Sequence, residues 1–236
     1  MVVKLLETSV VQVRDLTPSV FEATIRFKPG EQLDFKAGHY VMVKVPKEGK
    51  RINKPYSIAS TSTDQAQLQF CVKRVQGGFT SNWMYTWKPR DKIQVLGPMG
   101  FFLLREDSPK TKMFIAAGSG IAPIHGMIQR LFDINWKGEI WLFFGCRNME
   151  EVIYHDLFEQ WQKEHKNFHY VLTLSRPEPG WKGLSGYVQE YVKKMVTDPS
   201  NKEAYICGLI RMVDECKRTL EAIGFAKEDI LHEKFT

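Results

Sequence analysis

The sequence has 236 residues, of which 43% are hydrophobic and 25% charged, with 33 Lys and Arg against 27 Asp and Glu for a net charge of +6. This balance excludes a disordered or fibrous chain. No apolar run approaches the ~20 residues of a membrane-spanning helix, and the N-terminus lacks the apolar core of a signal peptide. The basic residues form no stripe of the kind that binds nucleic acid. We therefore expect a cytoplasmic globular protein with no membrane span and no nucleic-acid partner.

Cysteine spacing limits the metal chemistry. The four cysteines are Cys71, Cys146, Cys207 and Cys216, and they include no Cys-x-x-Cys pair. Structural zinc and plant-type iron–sulfur sites need closer clusters, so we expect no metal site. A cytoplasmic chain usually keeps its thiols reduced, which argues against disulfides.

Residues 8–104 have the pattern of short β-strands. The runs Val10–Val13, Phe21–Phe27, Tyr40–Val45, Leu68–Lys73 and Ile93–Val95 alternate in part between apolar and polar residues. Gly and Pro turn signals separate these runs. The spacing predicts an antiparallel barrel or sandwich, followed by a charged linker at Arg105–Lys112.

From residue 113 onward, strands alternate with helices. The predicted strands are Met113–Ala117, Glu139–Gly145, His169–Leu174 and Ala204–Cys207, and the predicted helices are Pro123–Phe132, Glu150–His165, Tyr187–Val196 and Met212–Ile223. This alternation predicts a parallel sheet covered by helices on both faces. We therefore predict two domains, residues 1–107 and 108–236.

A glycine turn follows the first strand of the second domain. Gly118 and Gly120 allow backbone amides to approach a pyrophosphate closely at a helix N-terminus. Ile121, Ala122 and Pro123 open the helix, and Pro123 stands where the third Gly of a full dinucleotide fingerprint would be. The alternative is a tight strand–helix turn without a ligand.

Two further segments in the first domain offer polar groups to a nucleotide. Lys54, Pro55, Tyr56 and Ser57 place a cation, an aromatic face and a hydroxyl close together, although an edge strand with a solvated Lys is the alternative. The second segment has glycines and hydroxyls before a helix, at Gly77, Gly78, Thr80 and Ser81. It is either an anion site or a capped turn.

These motifs, in their order, resemble the ferredoxin–NADP⁺ reductase superfamily across essentially the whole chain. The series is Lys-Pro-Tyr-Ser, Gly-Gly-Phe-Thr-Ser, Gly-Ser-Gly-Ile-Ala-Pro, the run Cys207-Gly208-Leu209-Ile210-Arg211-Met212, and a terminal Glu233-Lys234-Phe235. The resemblance implies a flavin-binding antiparallel β-barrel domain followed by a nucleotide-binding α/β domain with a parallel sheet.

The resemblance assigns the first domain to FAD. It implies that Tyr56 stacks on the isoalloxazine ring, that Ser57 places its hydroxyl near flavin N5, and that Val72 and Lys73 line the nucleotide arm. Gly78, Thr80 and Ser81 would hold the phosphates. Lys54 stands where the family usually has Arg, so it loses the planar fork that grips a phosphate in two places, and Arg51 is a second candidate for that contact.

The resemblance assigns the second domain to NADPH or NADH. It implies that Gly118–Pro123 holds the pyrophosphate, that Cys207 and Gly208 lie beside the nicotinamide, and that Glu233 and Phe235 close the site. Ser175 and Arg176 would contact a 2′-phosphate, with Arg147 as a further candidate, which favours NADPH. NADH stays open because a Ser-Arg-Pro run also occurs in relatives that use it. Without the resemblance, Cys207 reads as a buried apolar residue and the tail as a frayed terminus.

The implied function is a flavoprotein reductase that transfers a hydride from NAD(P)H to bound FAD, with Ser57, Cys207 and Glu233 as candidate catalytic residues. Because the sequence holds no cysteine cluster for a fused iron–sulfur domain, we expect the acceptor to be a separate protein, namely ferredoxin, flavodoxin or a partner subunit. The alternatives are a free-flavin reductase and a non-catalytic module that senses nucleotide.

Overall fold

The computed structural model describes residues 2–235, and the chain divides into two compact units. The first unit comprises Met1–Leu104 with His125–Ile134, and the second comprises Arg105–Ile124 with Asn135–Thr236. The domain limits at residues 107 and 108 stay a prediction.

The first unit is built on a six-stranded antiparallel sheet. Its strands are β1 (Lys4–Thr17), β2 (Val20–Phe27), β3 (Tyr40–Lys47), β4 (Lys50–Ser57), β5 (Gln67–Lys73) and β6 (Lys92–Met99), in the spatial order β4-β3-β6-β1-β2-β5. Alternation explains the core, since Val41, Val43 and Val45 of β3 are fully buried while their neighbours in sequence are not. Helix α1 (Phe79–Tyr85) adds Met84 to the same core.

The second unit is built on a six-stranded parallel sheet. Its strands are β7 (Thr111–Ala117), β8 (Ile140–Cys146), β9 (Phe168–Leu174), β10 (Leu184–Ser185), β11 (Lys202–Leu209) and β12 (Ile230–Phe235), in the order β10-β9-β8-β7-β11-β12. Its helices are α3 (His155–Glu164), α4 (Val188–Met195) and α5 (Ile210–Ile223). Helix α2 (Ile121–Asp133) begins in this unit, and its residues from His125 onward are assigned to the first unit. Strand β11 is buried from Glu203 to Gly208, as expected for a strand covered on both faces.

The predicted fold class is confirmed, and the structure differs in three places from the local interpretations considered above. The helix predicted at Glu150–His165 begins at His155, because Tyr154 takes a left-handed conformation (φ 59°). The tail is not frayed, since β12 pairs in parallel with β11. The segment predicted as a charged linker, Arg105–Lys112, overlaps the sheet at its end, because Lys112 lies within β7 and is fully buried.

Within residues 2–235, no helix combines the length and the apolar character that crossing a bilayer would require. In the same range, no three His, Cys, Asp or Glu side chains converge as a metal site would need.

Candidate functional site

The Lys-Pro-Tyr-Ser segment occupies the last half of β4, which is an edge strand of the first sheet. An edge position accommodates Pro55, because proline lacks the N–H that an inner strand would use. Tyr56 lies opposite Val41, packs against the core and has its ring 6.1 Å from that of Phe70. Burial raises the pKa of Tyr56 to about 12, so its phenol stays neutral at ordinary pH. Tyr56 is therefore a fixed, half-buried ring at a sheet edge.

The neighbours of Tyr56 on β4 differ in orientation. By strand alternation, Lys54 shares the face of Tyr56, while Pro55 and Ser57 belong to the opposite face. Lys54 and Pro55 are exposed, and Ser57 is half-buried opposite Tyr40. The strand thus brings the cation and the aromatic ring together on one face and directs the candidate hydroxyl of Ser57 to the other.

The second predicted flavin segment is a tightly held turn between β5 and α1. Val72 is buried and Lys73 is exposed at the end of β5. The Ser81 hydroxyl accepts the N–H of Val75 at 3.0 Å, and a Cβ on Gly78 would lie 2.9 Å from that of Val75. A side chain at Gly78 would displace Val75, so the turn favours glycine at this position. Thr80 is half-buried in the first turn of α1.

The glycine turn of the second unit lies between β7 and α2, where Gly118–Gly120 form a 3₁₀ turn. Gly118 has φ +53°, and an added Cβ on it would meet nothing within 4 Å. At Gly120 an added Cβ would overlap the Cys207 carbonyl, so glycine is what lets this turn approach the end of β11. Ile121, Ala122 and Pro123 are buried in the first turn of α2.

Cys207 and the terminal residues meet at the carboxyl end of β11. Cys207 lies opposite Ala116 of β7 on one side and Glu233 of β12 on the other, and Phe235 lies opposite Leu209. Burial raises the pKa of the Cys207 thiol well above its usual range, and the Glu233 carboxylate adds to this effect. Cys207 is therefore a neutral thiol and not a nucleophilic thiolate. Gly208 is buried, whereas Glu233 and Phe235 are half-buried.

The predicted 2′-phosphate residues follow the two neighbouring strands at the same edge. Arg147 comes directly after β8, and Ser175 and Arg176 come directly after β9. The N–H of Arg176 donates to the Arg147 carbonyl at 2.7 Å, which ties the two loops together. Both arginine side chains are exposed, and Arg147 lies 4.0 Å from the Glu151 carboxylate.

The second unit thus gathers its predicted nucleotide-site residues along the carboxyl ends of β9, β8, β7, β11 and β12. Open α/β sheets bind ligands at this edge. Gly118 leaves room for an anionic dinucleotide to approach the backbone closely. The exposed guanidinium groups of Arg147 and Arg176 suit the negative charge of such a ligand. The contribution of each residue to binding stays a prediction.

Comparison with known proteins assigns both units. Residues 7–103 match the family described as "Oxidoreductase FAD-binding domain" and residues 114–218 match "Oxidoreductase NAD-binding domain". The chain is 33% identical over 214 residues to "Ferredoxin--NADP reductase B" of Sorangium cellulosum, covering 88% of this chain and 87% of that protein. The chain belongs to the ferredoxin–NADP reductase family. The family resemblance inferred from the motifs is thereby confirmed.

Some of the relatives are longer than this chain, and others have nearly the same length. "Phenol hydroxylase P5 protein" of Acinetobacter pittii is 30% identical over 97% of this chain, which spans 65% of that relative, just under two thirds of its length. An Amycolatopsis cytochrome P450 reductase superposes with a TM-score of 0.89 at 26% identity, covering 99% of this chain and 70% of that one. A ferredoxin NADP⁺ reductase from Neisseria gonorrhoeae, solved with bound FAD and NADP, shares the fold with a TM-score of 0.86 at 23% identity and 98% coverage of both chains.

Membership of the ferredoxin–NADP reductase family establishes the cofactors and the reaction class. FAD and NAD(P)H are the cofactors, and the chain is an NAD(P)H-dependent flavin oxidoreductase. The predicted cofactors and enzyme class are therefore confirmed.

Sequence reasoning missed two residues, Arg74 and Asn82, that shape the turn between β5 and α1. The Asn82 amide donates to the Val75 carbonyl at 2.8 Å, and Arg74 Nε donates to Asn82 Oδ1 at 3.1 Å. The Arg74 guanidinium also lies 4.2 Å from the centroid of the Tyr85 ring. An Asn inside the first turn of a helix that follows Gly-Gly was the available signal, because Asn side chains commonly bond nearby backbone groups.

Proposed function

We propose that this chain takes electrons from NADPH and, through FAD, passes them to a separate acidic carrier protein such as ferredoxin or flavodoxin. The observation that supports an acidic carrier is a concentration of positive charge on the β3–β4 hairpin. Residues 44–54, the cationic hairpin, contain five basic residues and the single acidic residue Glu48. The basic residues are Lys44, Lys47, Lys50, Arg51 and Lys54.

The positive charge of the cationic hairpin is not neutralised locally. Among residues 2–235, no carboxylate lies within ion-pair distance of any of its five cations. Arg51 donates to the neutral Gln94 amide oxygen, and Lys47 lies 5.8 Å from the Phe79 ring centroid. An unpaired cationic surface raises the association rate of an acidic partner. This attraction becomes weaker as the salt concentration rises, because salt screens the charges.

The candidate residues have distinct parts in this proposal. Tyr56 would present its ring to the isoalloxazine, and Ser57 a hydroxyl to its reacting edge. Gly118–Pro123 would seat the pyrophosphate of NADPH, with Cys207, Gly208, Glu233 and Phe235 around the nicotinamide. Bound FAD accepts a hydride from NADPH and releases its electrons one at a time. We place this activity in the cytoplasm, where the four free cysteines stay reduced.

The acceptor is tested by steady-state assays of the purified holoprotein with NADPH. Oxidised ferredoxin, flavodoxin and ferricyanide serve as parallel acceptors. We expect rapid reduction of at least one acidic carrier, with a rate that falls as ionic strength rises. Ferricyanide, itself a trianion, serves only to show that the flavin is reduced by NADPH and can pass its electrons on. Reduction of ferricyanide without reduction of either carrier would show that the acceptor is a different kind of protein.

The preference for NADPH rests on Arg147 and Arg176, whose loops are tied by the backbone hydrogen bond described above. A planar guanidinium binds a phosphate through two parallel N–H donors. We expect Arg176→Ala to raise the KM for NADPH about tenfold and to leave the KM for NADH nearly unchanged. Lys182→Ala, another exposed basic residue that follows β9, is the control. A shift of both KM values by the same factor would argue against a 2′-phosphate contact.

A free-flavin reductase is the second candidate, because Lys54 offers a flexible point charge where a planar guanidinium would grip phosphate. In that case FAD would be a substrate that leaves after reduction. Purification followed by release of flavin with heat separates the two functions. About one FAD per chain supports the bound cofactor, and colourless protein that reduces added flavin supports the second candidate.

A further inference from the structure

Cys146 is the last residue of β8, the strand that lies between β7 and β9 in the second sheet. Gly145 pairs with Ala117 at the end of β7, so Cys146 lies one position beyond the last pair, beside Gly118. On the other side, Cys146 pairs with Leu174, the last residue of β9. Cys146 therefore lies between the glycine turn and the loop that follows β9.

The Cys146 side chain binds two backbone amides. The N–H groups of Gly118 and Ile153 donate to its sulfur, so the thiol connects the glycine turn with the segment between β8 and α3. Burial and the nearby Glu151 carboxylate raise the pKa of the Cys146 thiol to about 12, and the two hydrogen bonds act in the opposite direction. A neutral, buried thiol is inert, so Cys146 connects backbone segments and is not a nucleophile.

The Cys146 main chain binds a third segment. Its carbonyl accepts the N–H of Ser175 at 2.9 Å and the Ser175 hydroxyl at 3.4 Å. The next residue continues this connection, because the N–H of Arg176 donates to the Arg147 carbonyl at 2.7 Å. One residue that is only 8% exposed thus holds the glycine turn through its side chain and the loop after β9 through its main chain.

We propose that Cys146 is a positioning residue that holds the glycine turn in place relative to the loop at Ser175 and Arg176. This inference rests on the proposed function, which assigns the pyrophosphate of NADPH to the turn and its 2′-phosphate to the loop. A dinucleotide must bind both segments at once, so a displacement of one against the other weakens binding. The sulfur matters because a side chain without an acceptor would leave the Gly118 and Ile153 amides without this partner.

The test compares Cys146→Ala with Cys146→Ser, because these two side chains have nearly the same size and differ by one acceptor oxygen. Any loss of packing is common to both variants, so the difference between them measures the hydrogen bonds. Cys216→Ala and Cys216→Ser are the matched control pair, at a fully buried thiol on α5 of the same unit. Calorimetry on the oxidised holoprotein gives the Kd for NADP⁺, NAD⁺ and 2′-AMP. Hydrogen exchange measures the protection of the Gly118 and Ile153 amides.

We expect Cys146→Ala to weaken the binding of NADP⁺ and of NAD⁺ about fivefold, because both dinucleotides contain the pyrophosphate. Cys146→Ser should stay within about twofold of the wild type, since its hydroxyl accepts the same two amides. The Kd for 2′-AMP, which has no pyrophosphate, and the flavin content should not change in either variant. The two amides should lose protection only in Cys146→Ala, and the Cys216 pair should bind all three ligands as the wild type does.

Two results would overturn the positioning role of Cys146. Equal Kd values for NADP⁺ and NAD⁺ in Cys146→Ala and Cys146→Ser would show that the acceptor is unimportant, and would leave the proposed function intact. Equal weakening of NADP⁺ and 2′-AMP in Cys146→Ala would indicate general damage to the unit.

The preference for NADPH can fail separately. A wild type that binds NAD⁺ but neither NADP⁺ nor 2′-AMP would contradict that preference. The comparison of Cys146→Ala with Cys146→Ser, made with NAD⁺, would then still test the role of Cys146.

Discussion

At the scale of single residues, Cys207 is informative because its thiol is buried and neutral. Its place at the carboxyl end of β11, with its carbonyl against Gly120, favours a positioning role over acid–base or nucleophilic chemistry. If Cys207 borders the site of hydride transfer, Cys207→Ala should slow hydride transfer by about tenfold or more and leave the flavin content unchanged. Rapid mixing with NADPH measures the rate. Cys216→Ala, which also alters a buried cysteine, is the control, and equal rates in the two variants would remove Cys207 from the site.

His125 of α2 predicts a pH dependence of stability. Its Nδ1–H donates to the Ala59 carbonyl at 2.7 Å, and burial lowers the pKa of His125 from 6.5 to about 4. Between these values the unfolded chain binds more protons than the folded chain. The free energy of unfolding should therefore fall as pH drops from about 7 towards 4, by about 3 kcal/mol from this residue.

Urea unfolding at a series of pH values tests the contribution of His125. His125→Asn keeps a hydrogen-bond donor but does not titrate in this range. The wild type should lose more stability than His125→Asn between neutral and acidic pH. Parallel pH profiles for the two proteins would show that His125 titrates alike in the folded and unfolded chains.

At the scale of elements, the two ends of the parallel sheet differ in chemistry. The carboxyl ends carry the glycine turn, Cys207 and the two arginines, whereas the amino ends carry a buried ion pair between Lys112 of β7 and Glu203 of β11. Lys112 Nζ also donates to the carbonyls of Arg105 and Ser108, at 2.8 Å each. The pair therefore anchors the segment that precedes β7, and its role is structural.

The buried pair predicts non-additive effects on stability. Lys112→Met alone leaves the buried Glu203 carboxylate with only the Arg105 guanidinium, 3.8 Å away and partly exposed, and should cost about 3–5 kcal/mol of unfolding free energy. Lys112→Met/Glu203→Leu removes both charges and should cost less than Lys112→Met alone. Chemical denaturation of the single and double variants measures this difference. Losses that simply add would mean that the two charges do not depend on each other.

The same elements show what sequence reasoning could reach. The glycine turn at Gly118–Pro123 was predictable because strand, turn and helix signals are contiguous in the chain. The strand character of the tail was not, because β12 is stabilised by pairing with β11, which no local pattern encodes. The burial of Lys112 was missed because its partner Glu203 is 91 residues away in the sequence.

At the scale of the whole molecule, the basic residues that give the net charge of +6 are distributed unevenly along the sequence. The cationic hairpin holds five of the 33 basic residues and one of the 27 acidic residues within positions 44–54. Composition alone gave no reason to expect this concentration. In a chain whose two family regions bind FAD and NAD(P)H, this charge concentration supports our proposal that the acceptor is an acidic protein.

The central claim is that electrons pass from NADPH through bound FAD to an acidic carrier. Anaerobic rapid mixing of the holoprotein with NADPH, followed by a second mix with oxidised ferredoxin, follows the visible flavin absorbance through both steps. We predict bleaching by NADPH and a return of the absorbance on adding ferredoxin, slower at high ionic strength. Bleached flavin that ferredoxin and flavodoxin both fail to reoxidise would contradict the account.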